Sequence, residues 1–143
     1  MVTLPRRALI AWARWCGGVL FIFGLVGIFR GHFTDFTGHT GVSVLGFTGS
    51  PLTHLLHLVV ALALIAVLGS LAATRSAALI GGIGFTVFGL LEFALGDGSA
   101  DIFGRNHRTA VLDLVIGLTG LVAWWWERVD SRSESRGTAT RTG

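Results

Sequence analysis

The sequence predicts an all-α integral membrane protein, a four-helix bundle built from two similar helical hairpins with both termini in the cytoplasm. Three observations predict it: an apolar composition, four apolar segments of membrane-spanning length, and a similarity between the two halves of the chain. Of the 143 residues, 52% are hydrophobic and only 13% are charged. Soluble domains have about a quarter of their residues charged, so this composition excludes an ordinary water-facing surface.

The basic residues do not indicate a nucleic-acid-binding protein. All 11 are Arg, and the formal net charge is only +3. Because Arg stays ionised at high pH, the sequence pI of about 11.0 does not imply a strongly basic surface. The single cysteine, Cys16, excludes an internal disulfide and any Cys-X-X-Cys site, and we expect it to pack as a small apolar residue.

Four segments are apolar enough and of about the length that a transmembrane helix needs, roughly 20 residues. They cover residues 12–29, 52–73, 77–95 and 109–126. A turn around 74–76 joins the second and third segments, so these two form an antiparallel hairpin. Residues 1–126 are predicted to form the membrane domain. Residues 127–143 alternate Arg with acidic and hydroxyl residues and are predicted to be a disordered cytoplasmic tail.

The distribution of Arg predicts the orientation, because cytoplasmic loops are enriched in positive residues. One side of the four spans carries eight: Arg6, Arg7, Arg14, Arg75, Arg128, Arg132, Arg136 and Arg141. The other side carries three: Arg30, Arg105 and Arg108. Trp12, Trp15 and Trp124–Trp126 fall on the Arg-rich side, as expected of an interfacial aromatic belt. The termini are therefore placed in the cytoplasm and the loops 30–51 and 96–108 outside.

The two halves of the chain resemble each other. A shift of 56 residues places the second span on the fourth, and a shift of 65 places the first on the third. The first shift brings six identical pairs together: Phe47 with Phe103, Thr53 with Thr109, Leu56 with Leu112, Leu58 with Leu114, Val59 with Val115 and Leu62 with Leu118. The second aligns Gly17 with Gly82 and Gly24 with Gly89. Each half would therefore be one hairpin of two spans.

Small residues are expected to pack the helices, because in lipid they let backbones approach closely. Gly17 and Gly24 are two helical turns apart and share a face, as do Gly82 and Gly89. Ala61 and Gly117 occupy aligned positions in the second and fourth spans. These six positions are the predicted helix-packing residues.

Four ionisable residues lie within the spans and form the candidate polar site: His54, His57, Glu92 and Asp113. The repeat aligns His57 with Asp113, so we expect these two side chains to approach each other. Intramembrane ionisable residues normally face protein and find partners. The favoured interpretation is structural, with these groups holding helices together. A transition-metal site, using imidazole and carboxylate, and a proton or small-solute path are the alternatives.

The outer loops contain further possible cation ligands: His32, Asp35, His39, Asp97, Asp101 and His107. Gly, Asp, Ser and Thr are also ordinary turn residues, and we interpret these segments as solvated loops. The sequence contains no nucleophile elbow, phosphate-binding loop or dinucleotide fingerprint. No enzymatic reaction, catalytic residue, metal or cofactor is therefore predicted.

The segment "SPLTHLLHLVVALALIAV" before and within the second span, with its copy "NHRTAVLDLVIGLTGLV", resembles the actinobacterial membrane family known as domain of unknown function 4383. The resemblance extends over about 15–124. His57 matches the histidine of the family's first motif, and Asn106 resembles the asparagine ahead of the second. Asp113 departs from the pattern, which has a second histidine there. The resemblance implies a bacterial plasma membrane location and no activity.

These observations together predict a small structural or accessory membrane component. Its expected partners are the lipid bilayer and either another membrane protein or a second copy of the chain, bound through its Gly-rich faces. The alternative is a protein that binds a cation or handles protons or small solutes through its outer His and acidic residues.

Overall fold

Four long helices make up most of the computed structural model, which describes residues 4–31, 42–95 and 107–139. The elements in chain order are α1 (Leu4–Gly31), strands β1 (Val42–Val44) and β2 (Phe47–Gly49), α2 (Pro51–Ala66), α3 (Leu71–Leu95) and α4 (His107–Ala139). Helix α1 packs along α2, α3 packs along α4, and contacts between α1 and α4 join the two pairs. The predicted four-helix bundle is confirmed.

Each helix is long and apolar enough to cross a bilayer, with α2 counted together with the short 3-10 helix Val67–Gly69 that follows it. Large apolar side chains cover the outside of the bundle; Ile22, Val59, Ile80 and Val122 are all more than half exposed. Such an apolar surface is rare on soluble monomers. It is what a bundle solvated by lipid requires, so the chain has the build of a small multi-pass membrane protein.

The turn between α2 and α3 lies earlier in the chain than the predicted turn at 74–76. Helix α2 ends at Ala66, the 3-10 helix follows, and α3 begins directly after Ser70. Ser70 is extended (φ −130°, ψ 118°) and its hydroxyl accepts a hydrogen bond from the amide of Ala73 at 3.3 Å. Ser is a preferred helix N-cap, so it starts α3 and makes residues 71–73 part of that helix. The prediction missed this because no change of hydropathy marks the break.

The C-terminal segment also differs from the prediction. Helix α4 runs past Trp126 to Ala139, so residues 127–139 of the predicted disordered tail are helical, and residues 140–143 lie outside the described part of the chain. No Gly or Pro, the residues that most disfavour a helix interior, occurs between Gly120 and Gly137. The hydroxyls of Ser131 and Ser133 bond to carbonyl oxygens of the preceding turn.

A buried ion pair joins α3 to α4 near this end of the bundle. The Arg75 guanidinium donates two hydrogen bonds to the two carboxylate oxygens of Glu127. Glu127 is fully buried, whereas Arg75 remains about one-third exposed. A buried carboxylate is tolerated when it is paired in this bidentate geometry. The pair therefore explains why α4 stays packed on α3 beyond the tryptophans.

A β-hairpin covers the opposite end of the bundle, where α2 and α4 begin. Strands β1 and β2 are antiparallel, with Val44 opposite Phe47. Leu45 (φ 54°) and Gly46 (φ 84°) form the connecting turn. Positive φ at both central residues is the type I′ geometry that suits two-residue hairpins, although Leu rarely adopts it. The predicted outer loop therefore contains a small ordered sheet.

Hydrogen bonds join the hairpin to α1, to α4 and, through His54 and the Val42 carbonyl, to α2. The Arg30 side chain at the end of α1 donates to the Ser43 carbonyl at 3.2 Å. At the start of α4, the hydroxyl of Thr109 donates to the Thr48 carbonyl at 2.9 Å. These bonds hold the hairpin over the ends of α1 and α4.

Glycines mark the closest approaches between α1 and α2. A Cβ atom added to Gly24 would lie 2.7 Å from the carbonyl oxygen of His54 and 2.9 Å from the Cβ of Leu58. At Gly17 it would lie 3.6 Å from the Ala61 carbonyl oxygen. A larger residue at Gly24 would therefore push the two helices apart.

The same positions make the contacts between α3 and α4. A Cβ at Gly89 would lie 2.9 Å from the Ala110 carbonyl oxygen, and one at Gly82 would lie 3.1 Å from the Gly117 carbonyl oxygen. The 65-residue shift aligns these glycines with Gly17 and Gly24 of α1. The 56-residue shift aligns Ala110 and Gly117 with His54 and Ala61, the residues that those α1 glycines approach. The two helix pairs thus use equivalent glycines against equivalent partners.

The expected tryptophan belt is only partly exposed. Trp15 is 75% and Trp125 61% exposed, as residues at a lipid interface can be. Trp12 is instead buried, and its indole N–H donates to the hydroxyl of Thr119 at 3.2 Å. Its ring lies so close to Gly120 that a Cβ there would clash. Trp12 therefore joins α1 to α4 through a hydrogen bond and close packing.

A tight contact at Gly27 of α1 generates a stability prediction. The imidazole of His54 lies against this glycine so closely that a Cβ atom would overlap the ring, whereas a Cβ at Gly18 on the same helix meets nothing within 4 Å. We expect Gly27→Ala to lower the free energy of unfolding by about 1–3 kcal/mol, the usual cost of overpacking.

The measurement is reversible unfolding in mixed detergent micelles, with Gly18→Ala as the matched control. The control should be neutral or slightly stabilising, since Ala is the better helix former. Equal effects of the two substitutions would contradict the packing described for His54.

Candidate functional site

His57 and Asp113, the two ionisable residues that the predicted repeat aligns, lie together in the structure. The Nε2 atom of His57 on α2 is 3.5 Å from a carboxylate oxygen of Asp113 on α4. Both residues are deeply buried, with exposures of 4% and 1%. The expected approach of His57 and Asp113 is therefore present, and it links the first helix pair to the second.

The start of α2 sets the depth of His57. The Ser50 hydroxyl caps the helix by accepting from the amide of Thr53 at 3.3 Å, and Pro51 occupies the first turn. Pro is well suited to that position because its missing N–H would have no partner there. His57 follows six residues after Pro51, which at 1.5 Å per residue places it about 9 Å along the helix.

Aromatic rings surround the imidazole of His57. Phe85 stacks on it with an angle of 11° between the planes and 6.2 Å between the centroids. Phe23 of α1 meets it edge-on at 6.0 Å. The ring of Phe23 also contacts Phe47 of the hairpin at 5.4 Å. Phe23 and Phe47 therefore separate the His57–Asp113 pair from the end of the bundle that the hairpin covers.

His54 lies on the same side of α2 but has a different role. Its Nε2 atom is 3.3 Å from the carbonyl oxygen of Val42 in β1, and its ring fills the space beside Gly27. It is completely buried and contacts Phe23, with 5.7 Å between ring centroids. His54 therefore ties α2 to α1 and to the hairpin, whereas His57 ties α2 to α4.

The other predicted polar residues do not lie with His57 and Asp113. Glu92 is half-buried near the end of α3 and does not line the groove that His57 and Asp113 line. His107 is exposed at the first position of α4, beside the ring of Phe93. Within residues 4–31, 42–95 and 107–139, no three His, Cys, Asp or Glu residues come together as metal ligands. The remaining loop residues named above, His32, Asp35, His39, Asp97 and Asp101, and the motif residue Asn106 lie outside the described residues.

A groove of about 290 Å³ runs between α2 and α3, with the His57–Asp113 pair in its wall. Apart from these two residues and Thr53, its lining is apolar. That apolar lining is formed by Leu56, Val60, Ile80, Gly81, Gly84, Phe85 and Phe88. Buried polar residues of the bundle therefore line this groove.

The arrangement can hold a proton between the imidazole and the carboxylate. When the imidazole proton is on Nε2, it faces the carboxylate and leaves a lone pair on Nδ1. Nδ1 of His57 is buried and has no hydrogen-bond partner among the described residues. The pair therefore combines a carboxylate beside the ring with a buried ring nitrogen that has no hydrogen-bond partner among the described residues.

The sequence did not indicate three of these features. Gly81 and Gly84 were not singled out in the sequence; in the structure both line the groove, and a Cβ atom at either would meet nothing within 4 Å. The Arg75–Glu127 pair joins residues 52 apart in sequence. The sequence analysis missed the hairpin because its strands are very short. The segment "VSVLGFTG" does contain alternating residues around Leu-Gly, which is a weak hairpin signal.

The His57–Asp113 contact should be measurable as a coupling energy. We expect a double-mutant cycle with His57→Leu and Asp113→Leu to give about 0.6–1.7 kcal/mol, the range found for hydrogen bonds between membrane helices. The measurement is the free energy of unfolding of the four proteins in mixed micelles. A cycle between Asp113→Leu and Val59→Ala is the control and should give no coupling, because Val59 is an exposed residue on α2, the helix of His57. Additive effects in the first cycle would contradict the contact.

Comparison with known proteins identifies the family of this chain. A family model described as a domain of unknown function, DUF4383, matches residues 11–126. No curated protein and no solved structure matches the chain. The match covers the four apolar helices through Trp126 and includes both His57 and Asp113, which confirms the resemblance seen in the sequence. The chain belongs to the family of domain of unknown function 4383.

Proposed function

We propose that this protein is a structural or accessory component of the bacterial plasma membrane, with both termini in the cytoplasm. The observation that carries the proposal is that both membrane histidines make contacts within the chain. His57 faces Asp113 and His54 faces the Val42 carbonyl. Polar groups used in this way join helices and hold the hairpin, which is a structural role.

The charge distribution supports the orientation. The end of the bundle that holds the α2–α3 turn carries Arg6, Arg7, Arg75 and Arg128, whereas the hairpin end carries Arg30 and Arg108. Positive residues are enriched in cytoplasmic loops. The hairpin would then lie on the outer face of the membrane.

The equivalent glycine contacts support an origin by duplication. Gly17 and Gly24 contact α2 at positions that correspond to those at which Gly82 and Gly89 contact α4. Both hairpins would lie the same way up, as in parallel repeats. On this proposal His57 and Asp113 began as the same residue, and their divergence produced a complementary pair.

The glycine contacts also restrict where a partner could bind. Gly17, Gly24, Gly82 and Gly89 face other helices of the same chain, so they are not available for the partner that the sequence analysis expected on Gly-rich faces. A partner membrane protein or a second copy would contact the exposed apolar side chains instead.

The alternative function is proton or small-solute handling, and one observation favours it. The His57–Asp113 pair borders a groove instead of being enclosed on all sides. Cation binding has less support, because the described residues bring no third ligand of metal-binding type to the pair.

Site-directed labelling tests the orientation. Starting from a Cys16→Ser variant, we expect a single cysteine at exposed Leu45 in the hairpin to react with a membrane-impermeant maleimide on intact cells. A cysteine at exposed Ser133 in α4 should react only after the cells are opened. The reverse pattern would contradict the proposed topology, and labelling of both sites on intact cells would contradict two termini on one inner face.

Chemical cross-linking in native membranes tests the accessory role. We expect the full-length chain, cross-linked before mild-detergent purification, to migrate as a discrete species larger than its 15.2 kDa monomer. Repeating the experiment with a charged residue in place of exposed Val122 on α4 controls for random collisions and identifies a lipid-facing contact. Recovery of the monomer alone would contradict a stable assembly.

A further inference from the structure

The part of α4 beyond its tryptophans separates positive from negative side chains. Arg alternates with acidic residues in this part of the sequence, but the helix places the two kinds on different faces. Arg128 and Arg132 lie one turn apart on one face, and both are exposed. Glu127 is fully buried, and Asp130, three residues further on and on the same face, is half-buried. Among the side chains described up to Ser133, the exposed charges of this segment are therefore positive.

This positive face continues the side of α4 that lipid covers. Val122, Trp125 and Val129 follow one another at intervals of about one turn and are 60%, 61% and 44% exposed. Arg132 comes three residues after Val129, so it lies on the same side of the helix. The outer surface of α4 thus changes from apolar to positive along a single face.

The change occurs at the depth of the lipid headgroups. Trp125 lies 18 residues after His107, the first residue of α4, which at 1.5 Å per residue is about 27 Å along the helix. The hydrocarbon core of a bilayer is about 30 Å thick, and Trp is enriched at its boundary. Arg128 and Arg132 lie about one and two turns beyond Trp125, so they reach the headgroups at this end of the bundle.

The nearest carboxylate does not neutralise these two arginines. Both carboxylate oxygens of Glu127 accept hydrogen bonds from Arg75, which commits this group to α3. The guanidinium carbon of Arg128 lies 5.1 Å from the centroid of the Trp124 ring, a cation–π contact. That contact holds the positive group beside an aromatic ring at the headgroup level.

We propose that this face of α4 binds an anionic phospholipid, with Arg128 and Arg132 donating hydrogen bonds to the phosphate and Trp125 packing on the acyl chain. Guanidinium groups match the geometry of phosphate with paired N–H donors. The occupant is a lipid because the positive face is continuous with the lipid-covered face and begins where phosphates begin. The proposal adds a partner to the structural role and does not depend on it.

Native mass spectrometry of the full chain measures the bound lipid. The chain is released from micelles containing equal amounts of dioleoyl phosphatidylglycerol and dioleoyl phosphatidylcholine, which share their acyl chains and differ in headgroup charge. We expect the retained lipid to be mainly phosphatidylglycerol. Arg128→Gln should lower the affinity for phosphatidylglycerol about fivefold, as expected for one Arg near an anionic surface, and adding Arg132→Gln should lower it about fivefold again.

Two further variants separate this face from the effect of net charge. Arg7→Gln combined with Arg14→Gln removes the same number of charges from exposed positions on α1, at the same end of the bundle. This variant should bind phosphatidylglycerol nearly as well as the unaltered chain. Arg128→Lys combined with Arg132→Lys keeps both charges and should retain most of the affinity. Circular dichroism in the same micelles shows that each variant is folded.

Several results would overturn the proposal. Equal retention of the two lipids by the unaltered chain would exclude the lipid and leave the face to an acidic segment of a partner protein. An undiminished preference after both Gln substitutions on α4 would exclude the assigned residues. Equal losses in the α1 variant would assign the preference to net charge. Micelles have no sides, so the lipid measurement can fail while the labelling and cross-linking results hold.

Discussion

Close backbone approach at glycine is the constraint on which the rest of this structure depends. Within a bilayer, lipid is as apolar as the helix surfaces, so helices associate through close packing and hydrogen bonds. Gly24 against α2 and Gly89 against α4 allow this contact, and a Cβ at either position would overlap a neighbouring backbone. Two tight helix pairs follow, and they bring the buried polar groups within reach of partners that lipid could not provide.

Some of the polar contacts join the two helix pairs, and the others stabilise the two ends of the bundle. Trp12 with Thr119 and His57 with Asp113 connect the first helix pair to the second. Arg75 with Glu127 secures one end, and the hairpin covers the other. Helices α2 and α3 are joined by a turn yet separate along one side, which leaves the groove beside His57. The same packing that buries the histidine therefore also leaves a groove beside it.

Much of this architecture could be predicted because lipid imposes simple rules on sequence. Segments of about 20 apolar residues indicated the helices, and the alignment of His57 with Asp113 indicated their contact. The turn at Ser70 was missed because Leu and Ala continue on both sides of it. Whether a glycine such as Gly82 packs or one such as Gly84 stays open depends on the partner helix, which no local pattern specifies. The packing of α4 on α3 at Glu127 involves Arg75, a contact between residues distant in sequence.

The account depends most on His57 and Asp113 meeting inside the bundle when the protein is in a bilayer. Solid-state NMR can measure this in lipid, through the dipolar coupling between ¹⁵N in the His57 ring and ¹³C in the Asp113 carboxylate. The structure predicts a weak but measurable coupling, because the imidazole nitrogen lies 3.5 Å from a carboxylate oxygen. Absence of measurable coupling, with the four helices intact, would contradict the packing that places the pair beside the groove.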